Sequence, residues 1–371
     1  MTAAGARALT LEAMDLGPRL AALRSRFEGI DALLVTRLVN VRYLTGFTGS
    51  AAMLLVTPDG ATFVTDGRYR DQAADQLAAA GVTADIVIGL TQAEQRDALA
   101  LAAADVRRLG LESDGVTWSQ QRSFGDWFPA AELIATEGLV DGLRMVKEPG
   151  EVARIRAACA IADDALAEVL PTLHDGPTER GFALDLEFAM RTRGASAVSF
   201  DPIVASGPNG AKPHARPSDR RIVAGELVVI DFGCIVDGYC SDMTRTVSVG
   251  EPSAEARRIW ETVLDAQVRG CEAVAVGVEC AAVDRASRAV IVAAGWGEAF
   301  IHGTGHGVGL EIHEAPRVAS TSTGTLAAGH VVTVEPGVYL PGIGGVRIED
   351  TLVVTADGPV ALTEFPKHLV V

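Results

Sequence analysis

The chain has 371 residues, more than the roughly 100–200 that one ordinary domain holds, so two domains are expected. Hydrophobic residues make up 48% of it and the mean hydropathy is positive, which suits a globular protein with sizeable cores. With 48 acidic residues against 32 lysines and arginines the net charge is −16; such a field repels polyphosphate, so nucleic acid is not an expected partner.

Between residues 32 and 136 short apolar runs alternate with helical stretches. DALLVT (31–36), AAMLLVT (51–57), ATFVT (61–65), ADIVIG (84–89), RLGLES (108–113) and AELIAT (131–136) read as strands, and GRYRDQAADQLAAAG (67–81) as a helix between two of them. This alternation predicts a mixed α/β sheet with helices packed on it. TPDG at 57–60 is the expected turn between the second and third strands, Pro58 fixing φ and Gly60 tolerating a positive one.

The alternation stops at EGLVDGLRMVKEPGE (137–151), and a long helix follows. Val152, Ile155, Cys159, Ala162, Leu166 and Val169 recur at spacings of three and four, one apolar stripe on a 3.6-residue period. Pro149 suits its first turn, where the missing N–H costs nothing, and Glu148 and Glu151 sit at the positive end of the dipole. The domain boundary is placed near Val146, giving domains of 1–145 and 146–371. Further helices are expected over 178–193, over 253–274 with Ser253 as N-cap, and from near Ala282. Five cysteines, odd in number and without a CxxC pair, argue for buried free thiols over a disulfide framework or a zinc ribbon. Neither a signal-peptide core at the N-terminus nor roughly 18 uninterrupted apolar residues elsewhere is found, so a soluble, cytoplasmic protein with no membrane partner is expected.

Two hairpins are expected beyond residue 225, at 225–250 and 329–354. In the first, Asp237-Gly238 is a strong turn signal. A turn centred between Val236 and Asp237 sets Asp231 and Asp242 opposite each other; a turn on the Asp-Gly pair shifts them by one residue, which a bulge absorbs. Each lies in or after an apolar run, where an ionised carboxylate is costly without a compensating charge. Arg245 is the simple ion-pair candidate. In the second hairpin Glu335 ends VVTVE, Glu349 lies in GVRIED, and LPGIGG makes the bend. Four carboxylates this close disfavour simultaneous ionisation unless a metal sits between them.

HGTGHGVGLEIHEAP (302–316) holds three of the seven histidines. His306, between Gly305 and Gly307, has backbone thin enough to bring its side chain into a crowded polar centre, and a neutral imidazole is the nitrogen ligand an oxygen-rich site takes. His302 and His313 are second-shell or catalytic candidates. The DFG at 231–233 lacks the other parts of a kinase, and GTGHGVG lacks the third glycine of a dinucleotide loop.

Asp231, Asp242, His306, Glu335 and Glu349, in that order and on those hairpins, resemble the five ligands of the pita-bread metallopeptidases. IDFG, SDMTRT, HGTGHGVGLEIHE, VEPG and RIED all match that pattern. VNVRYLTGFTGS and TDGRY resemble the leading domain of prolidases and aminopeptidases P. The resemblance implies an α/β (α+β) chain in which an N-terminal creatinase/prolidase-like mixed-sheet domain precedes a C-terminal pita-bread catalytic domain.

It also implies a dinuclear enzyme that hydrolyses the Xaa-Pro bond at the N-terminus of dipeptides or short peptides by attack of a metal-bridging hydroxide. The cofactor would be two divalent ions, Mn²⁺ foremost, with Co²⁺, Fe²⁺ or Zn²⁺ as alternatives. Asp231 would bind one ion, His306 and Glu335 the other, with Asp242 and Glu349 bridging. Glu335 would also relay the proton, His302 or His313 would stabilise the oxyanion, His214 would frame the proline pocket, and Arg347 would orient carboxylates. A proline-containing peptide is the implied substrate and a homodimer the implied assembly. A metal-independent creatinase-like hydrolase and a non-catalytic pita-bread binding module are the competing readings.

Overall fold

The computed structural model describes residues 11–371, so the part of the N-terminal reading that falls on residues 1–10 lies outside the described residues. Contacts divide the described chain into two compact units, Ala13–Arg144 and a second made of residues 11–12 with Met145–Val371.

In the first unit all six apolar runs form strands: Ala32–Val35, Ala52–Val56, Ala61–Thr65, Asp85–Ile88, Arg108–Glu112 and Glu132–Thr136. They build one mixed sheet in the order fourth, third, second, first, fifth, sixth. The first three are joined by antiparallel pairing, whereas the outer pairs are parallel. Parallel neighbours need a crossover, and the helices Arg70–Ala79 and Trp118–Trp127 supply it for the third-to-fourth and fifth-to-sixth connections. Leu34, Leu55, Val64, Leu109 and Phe124 are buried together in this unit's core. The turn at 57–60 forms, with Thr57 N–H donating to Gly60 O at 3.0 Å. Gly60 is not among the positive-φ glycines, so that part of the expectation is corrected.

In the second unit the long helix is Pro149–Val169, its start tied by Glu148 N–H donating to the Glu151 carboxylate at 3.1 Å. Ala162, Leu166 and Val169 of its stripe, with Ala158, Ile161 and Ala165, are buried against Phe182 and Leu186 of the helix Glu179–Thr192 and against Val228, Ile230 and Phe232 of the strand Leu227–Phe232, whereas Val152 is only half-buried. Full burial of each such aliphatic side chain contributes about 1.5–3 kcal/mol, so the stripe fixes the helix to that strand. A second helix pair, Ala254–Ala273 and Cys280–Ala293, packs on the other hairpin: Ile259 and Val263 meet Val338 and Val346, and Val283 meets Val332 and Val334. Ser253 Oγ caps the first of these helices by accepting from Ala256 N at 3.1 Å. All five cysteines are free, and four of them are buried. Among the described residues no helix is long and apolar enough to cross a membrane.

Candidate metal centre

Strand alternation decides which side chains of the two hairpins share a face. In the first hairpin Asp237 (φ 43°) and Gly238 (φ 81°) form the two-residue turn, so the turn sits on the Asp-Gly pair. The ladder then runs without a bulge, with Met243 opposite Phe232 and Thr244 opposite Asp231. Asp242 is therefore not opposite Asp231. It lies two residues nearer the turn than Thr244, a diagonal neighbour on the same face. The register differs from the expected one, yet both carboxylates still reach one spot.

In the second hairpin Val334 pairs with Asp350 and Gly337 with Arg347, which sets Glu335 across from Glu349 in the same register. Tyr339 pairs with Gly345. Glu335, Tyr339, Arg347 and Glu349 thus share one face. His306 comes from the short strand Gly305–Gly307, held between the strands Glu314–Val318 and Val331–Val334. A Cβ on Gly305 would lie 2.0 Å from Thr333 O, and one on Gly307 2.3 Å from Ala315 O, so both flanks of His306 must be glycine.

These residues meet in a cavity of about 590 Å³ that is lined by all nine site residues named from the sequence. Asp242, His306 and Glu349 each offer a ligand atom within 4.8 Å of the others. His306 Nε2 stands 3.3 Å from Glu335 Oε1 and 3.5 Å from Asp242 Oδ2. Its Nδ1 lies 3.0 Å from Gly307 O, a contact that keeps the proton on Nδ1 and turns the Nε2 lone pair toward the carboxylates. Thr333 Oγ1 accepts from His306 N–H at 3.1 Å and donates to Glu335 Oε1 at 3.2 Å. Arg347 donates to Asp231 Oδ2 at 2.5 Å, to Tyr339 Oη at 2.7 Å and to Thr244 Oγ1 at 3.2 Å, while Thr244 donates to Glu349 Oε2 at 2.7 Å. Arg245 is turned away, paired with Asp350 at 2.9 Å, so it does not compensate Asp231 or Asp242.

The electrostatics follow from crowding in a dry place. Burial pushes the Asp242 and Glu349 carboxyls well above the usual range, and the neighbouring carboxylates push the same way. Burial also raises Asp231, against the pull of Arg347. Glu335 goes the other way: burial opposes its charge, but as long as no cation takes the Nε2 lone pair, the pKa of His306 is raised by Glu335, and the hydrogen bond and charge of the protonated ring hold the Glu335 carboxyl at about 2. One arginine cannot balance three buried acids and a half-buried fourth, so protons or further cations must. Asp231 Oδ1 and Glu349 Oε1 are buried without a hydrogen-bond donor among the described residues. An orphaned carboxylate oxygen is costly, and two in one cavity, beside an imidazole with its lone pair turned inward, fit divalent cations. The donor set suits hard or borderline ions.

The remaining histidines differ in their freedom. His302 is engaged at both ring nitrogens, Nδ1 with Gly303 O at 2.7 Å and Nε2 with Tyr339 Oη at 2.9 Å. Burial lowers its pKa. Its loop is clamped from the helix Cys280–Ala293: Asp284 accepts from Thr304 Oγ1 at 2.9 Å, and Arg288 donates to His302 O at 2.7 Å. His313 is exposed, its ring centroid 4.4 Å from that of His306. His214 is exposed on the loop after the strand Ile203–Ser206. Sequence reasoning passed over Tyr339 and Thr244, although strand alternation from Arg347 and Asp242 reaches both. It also passed over Arg216 and Arg317, which line the cavity without a carboxylate partner among the described residues; neither carries a sequence signal beyond its charge.

A carboxylate-rich centre with one imidazole, carried on two hairpins that are each backed by a helix pair, defines a metallohydrolase. The chain belongs to metallopeptidase family M24, whose model matches residues 153–356. The model of the creatinase/prolidase N-terminal domain matches residues 19–146. A solved structure of an Xaa-Pro dipeptidase from Bacillus anthracis is 42% identical, with a TM-score of 0.91 over 95% of this chain and 99% of that one. An X-Pro aminopeptidase from Thermotoga maritima is 36% identical, with a TM-score of 0.86 over 94% of this chain and 99% of the other. An Xaa-Pro dipeptidase of Pyrococcus furiosus is 35% identical over 92% of this chain and 95% of its own length. The architecture is accordingly α/β, a creatinase/prolidase-like mixed-sheet domain followed by a pita-bread domain, and the family implies divalent metal ions.

Proposed function

We propose that this chain hydrolyses the bond preceding proline in dipeptides and short peptides, at a centre of two divalent ions, Mn²⁺ foremost, held by Asp231, Asp242, His306, Glu335 and Glu349. The observation that carries this reading is the pair of donor-less buried oxygens, on Asp231 and Glu349, in a cavity shared with the other three donors. The names of similar proteins support the substrate class. The full donor set favours metal chemistry over a creatinase-like or merely binding role.

When bound, the ions supply a water acidified toward neutral pH and a Lewis acid for the reacting carbonyl. Glu335 takes the proton of the attacking water and returns it to the proline nitrogen, a tertiary-amide nitrogen that leaves poorly unless protonated. Of the two histidines assigned to the oxyanion, His313 is the better placed to donate, because both His302 nitrogens are engaged. His302 instead fixes Tyr339, and through it Arg347. His214 frames the proline ring. Arg216 and Arg317 suit the C-terminal carboxylate of a short peptide, which favours dipeptides. The assembly in this reading is a cytoplasmic homodimer, measurable by light scattering.

The test is proline release from a series of peptides, from Xaa-Pro to Xaa-Pro-Ala and longer, before and after chelation and after Mn²⁺ is restored. Activity should vanish with chelator and return with metal, at two equivalents per chain in a titration. Full turnover in the chelated enzyme would overturn the metal reading, and a plateau at one equivalent would overturn the dinuclear one.

A further inference from the structure

Glu179 is a carboxylate for which the reaction has no use, and it is 0% exposed. It begins the helix Glu179–Thr192, and the hydrogen bonds of its carboxylate run to Ser206, Asn209 and Ser218 of one segment. Oε1 accepts from Ser206 N at 2.7 Å, Ser206 Oγ at 2.8 Å and Asn209 Nδ2 at 3.2 Å. Oε2 accepts from Asn209 Nδ2 at 3.0 Å, Ser218 N at 3.1 Å and Ser218 Oγ at 2.6 Å. Burial opposes the charge, but the Ser218, Ser206 and Asn209 donors outweigh it and hold the carboxyl below its usual range.

Ser206 and Ser218 are the two ends of that loop. Between them lie Pro213, His214, Ala215, Arg216 and Pro217, all of which line the cavity. The N-terminal end of the loop is also fixed by sheet pairing, since Ser206 faces Val228. Ser218 lies in no strand or helix. It is also held by the Arg180 N–H that donates to Ser218 O at 3.0 Å, by the Glu179 N–H that donates to Arg220 O at 3.0 Å and by the bridge between Thr178 and Arg221 just beyond it. Both ends of the loop are thus anchored by backbone, and the carboxylate is the side-chain tie that joins them directly, across the segment that carries His214 and Arg216.

We propose that Glu179 is a positioning residue for peptide binding: it clips the loop 206–218 closed and so sets where His214 and Arg216 meet the substrate. This deepens the Xaa-Pro reading and rests on it for the kinetic half of its test. In Glu179→Gln the amide group sets a donor against donors. Hydrogen–deuterium exchange over 207–217 should quicken by about tenfold or more, the size expected when a buried charged acceptor is lost, while exchange over 227–232 and 243–248 stays unchanged. KM for an Xaa-Pro dipeptide should rise about tenfold, with kcat within about threefold and Mn²⁺ affinity unaltered. Adding His214→Ala to Glu179→Gln should raise KM by less than the product of the separate effects.

A purely structural role would instead lower kcat and metal affinity along with the melting temperature. Unchanged exchange in the loop, or a fall in kcat at constant KM, overturns the proposal. Should Glu179→Gln not fold, Ser218→Ala, which removes one donor and leaves the charge, decides by the same measurements at smaller amplitude. If the wild type cleaves no Xaa-Pro peptide, the functional reading fails by itself; exchange then decides the clip alone, faster exchange confined to the loop upholding it and unchanged exchange ending it.

Discussion

Asp242 is raised by burial and by the charges of Glu349, Asp231 and Glu335, and its raised pKa has a consequence with a definite sign. A group whose pKa is higher folded than unfolded adds stability below its unfolded value, and that contribution is lost as pH rises through the folded value. Without metal, ionising Asp242 above the ordinary carboxylate range therefore costs stability, and Asp242→Asn removes that cost. The chelated mutant should melt at or above the chelated wild type at pH 8, while losing Mn²⁺ binding and at least about a hundredfold in activity, as expected when a charged donor leaves a catalytic metal site. A chelated mutant that melts well below the wild type would show that the carboxylate is structural. Tyr339→Phe probes the other side of the site. Its hydroxyl accepts from Arg347 and reaches His302, so its loss should lower stability by about 1–3 kcal/mol, read by denaturant titration. The five proposed metal donors stood out in the sequence because an acid or imidazole inside an apolar or glycine-bound strand is expensive unless it is used. Tyr339 was not, since a tyrosine fits an ordinary hairpin equally well.

The elements were legible where hydrophobic period and turn chemistry agreed, as in the six strands of the first unit and the stripe from Val152 to Val169. They were not where neighbours impose the conformation. Gly305–Gly307 has neither β-propensity nor an alternating pattern; it is a strand because the backbones of Thr333 and Ala315 close on it from both sides. The offset between Asp231 and Asp242 comes from the turn. Both turn residues take positive φ, so the Asp-Gly pair itself is the loop and the ladder runs on without the expected bulge, leaving Asp242 two residues from the partner of Asp231. The crowding around Gly305 yields a prediction at this scale. In Gly305→Ala the new methyl would stand 2.0 Å from Thr333 O, so two strands must part. A destabilisation of about 2–4 kcal/mol is expected from overpacking against backbone, together with weakened Mn²⁺ binding because His306 moves with its strand. Unaltered calorimetric stability and metal affinity would mean that the strand can shift at no cost.

Over the whole molecule, a net charge of −16 and four acids in one cavity mean that any cation bound there takes part in the folding equilibrium. All five donors belong to the unit Met145–Val371, and none to Ala13–Arg144. They come from two hairpins and a separate short strand, spread over residues 231–349, so the unfolded chain presents no comparable site and metal should bind the folded state almost exclusively. Binding of that kind stabilises by about 2.7 kcal/mol when free metal exceeds its Kd a hundredfold. For a domain of roughly 150–250 residues each kcal/mol moves Tm by about 2–4 °C, so Mn²⁺ at a hundredfold excess should raise the melting transition by about 5–10 °C for each ion bound, over the chelated protein. The shift should keep growing with the logarithm of free metal, because each tenfold increase adds about 1.4 kcal/mol per ion bound. Surface binding to an acidic protein would behave differently, since weak exposed contacts are screened by salt. The decisive comparison is a Mn²⁺ titration of Tm in low and high salt, repeated with His306→Ala. A shift that survives salt and disappears in the mutant ties the stabilisation to this cavity, whereas one that salt abolishes, or that the mutant retains, assigns it to the acidic surface instead.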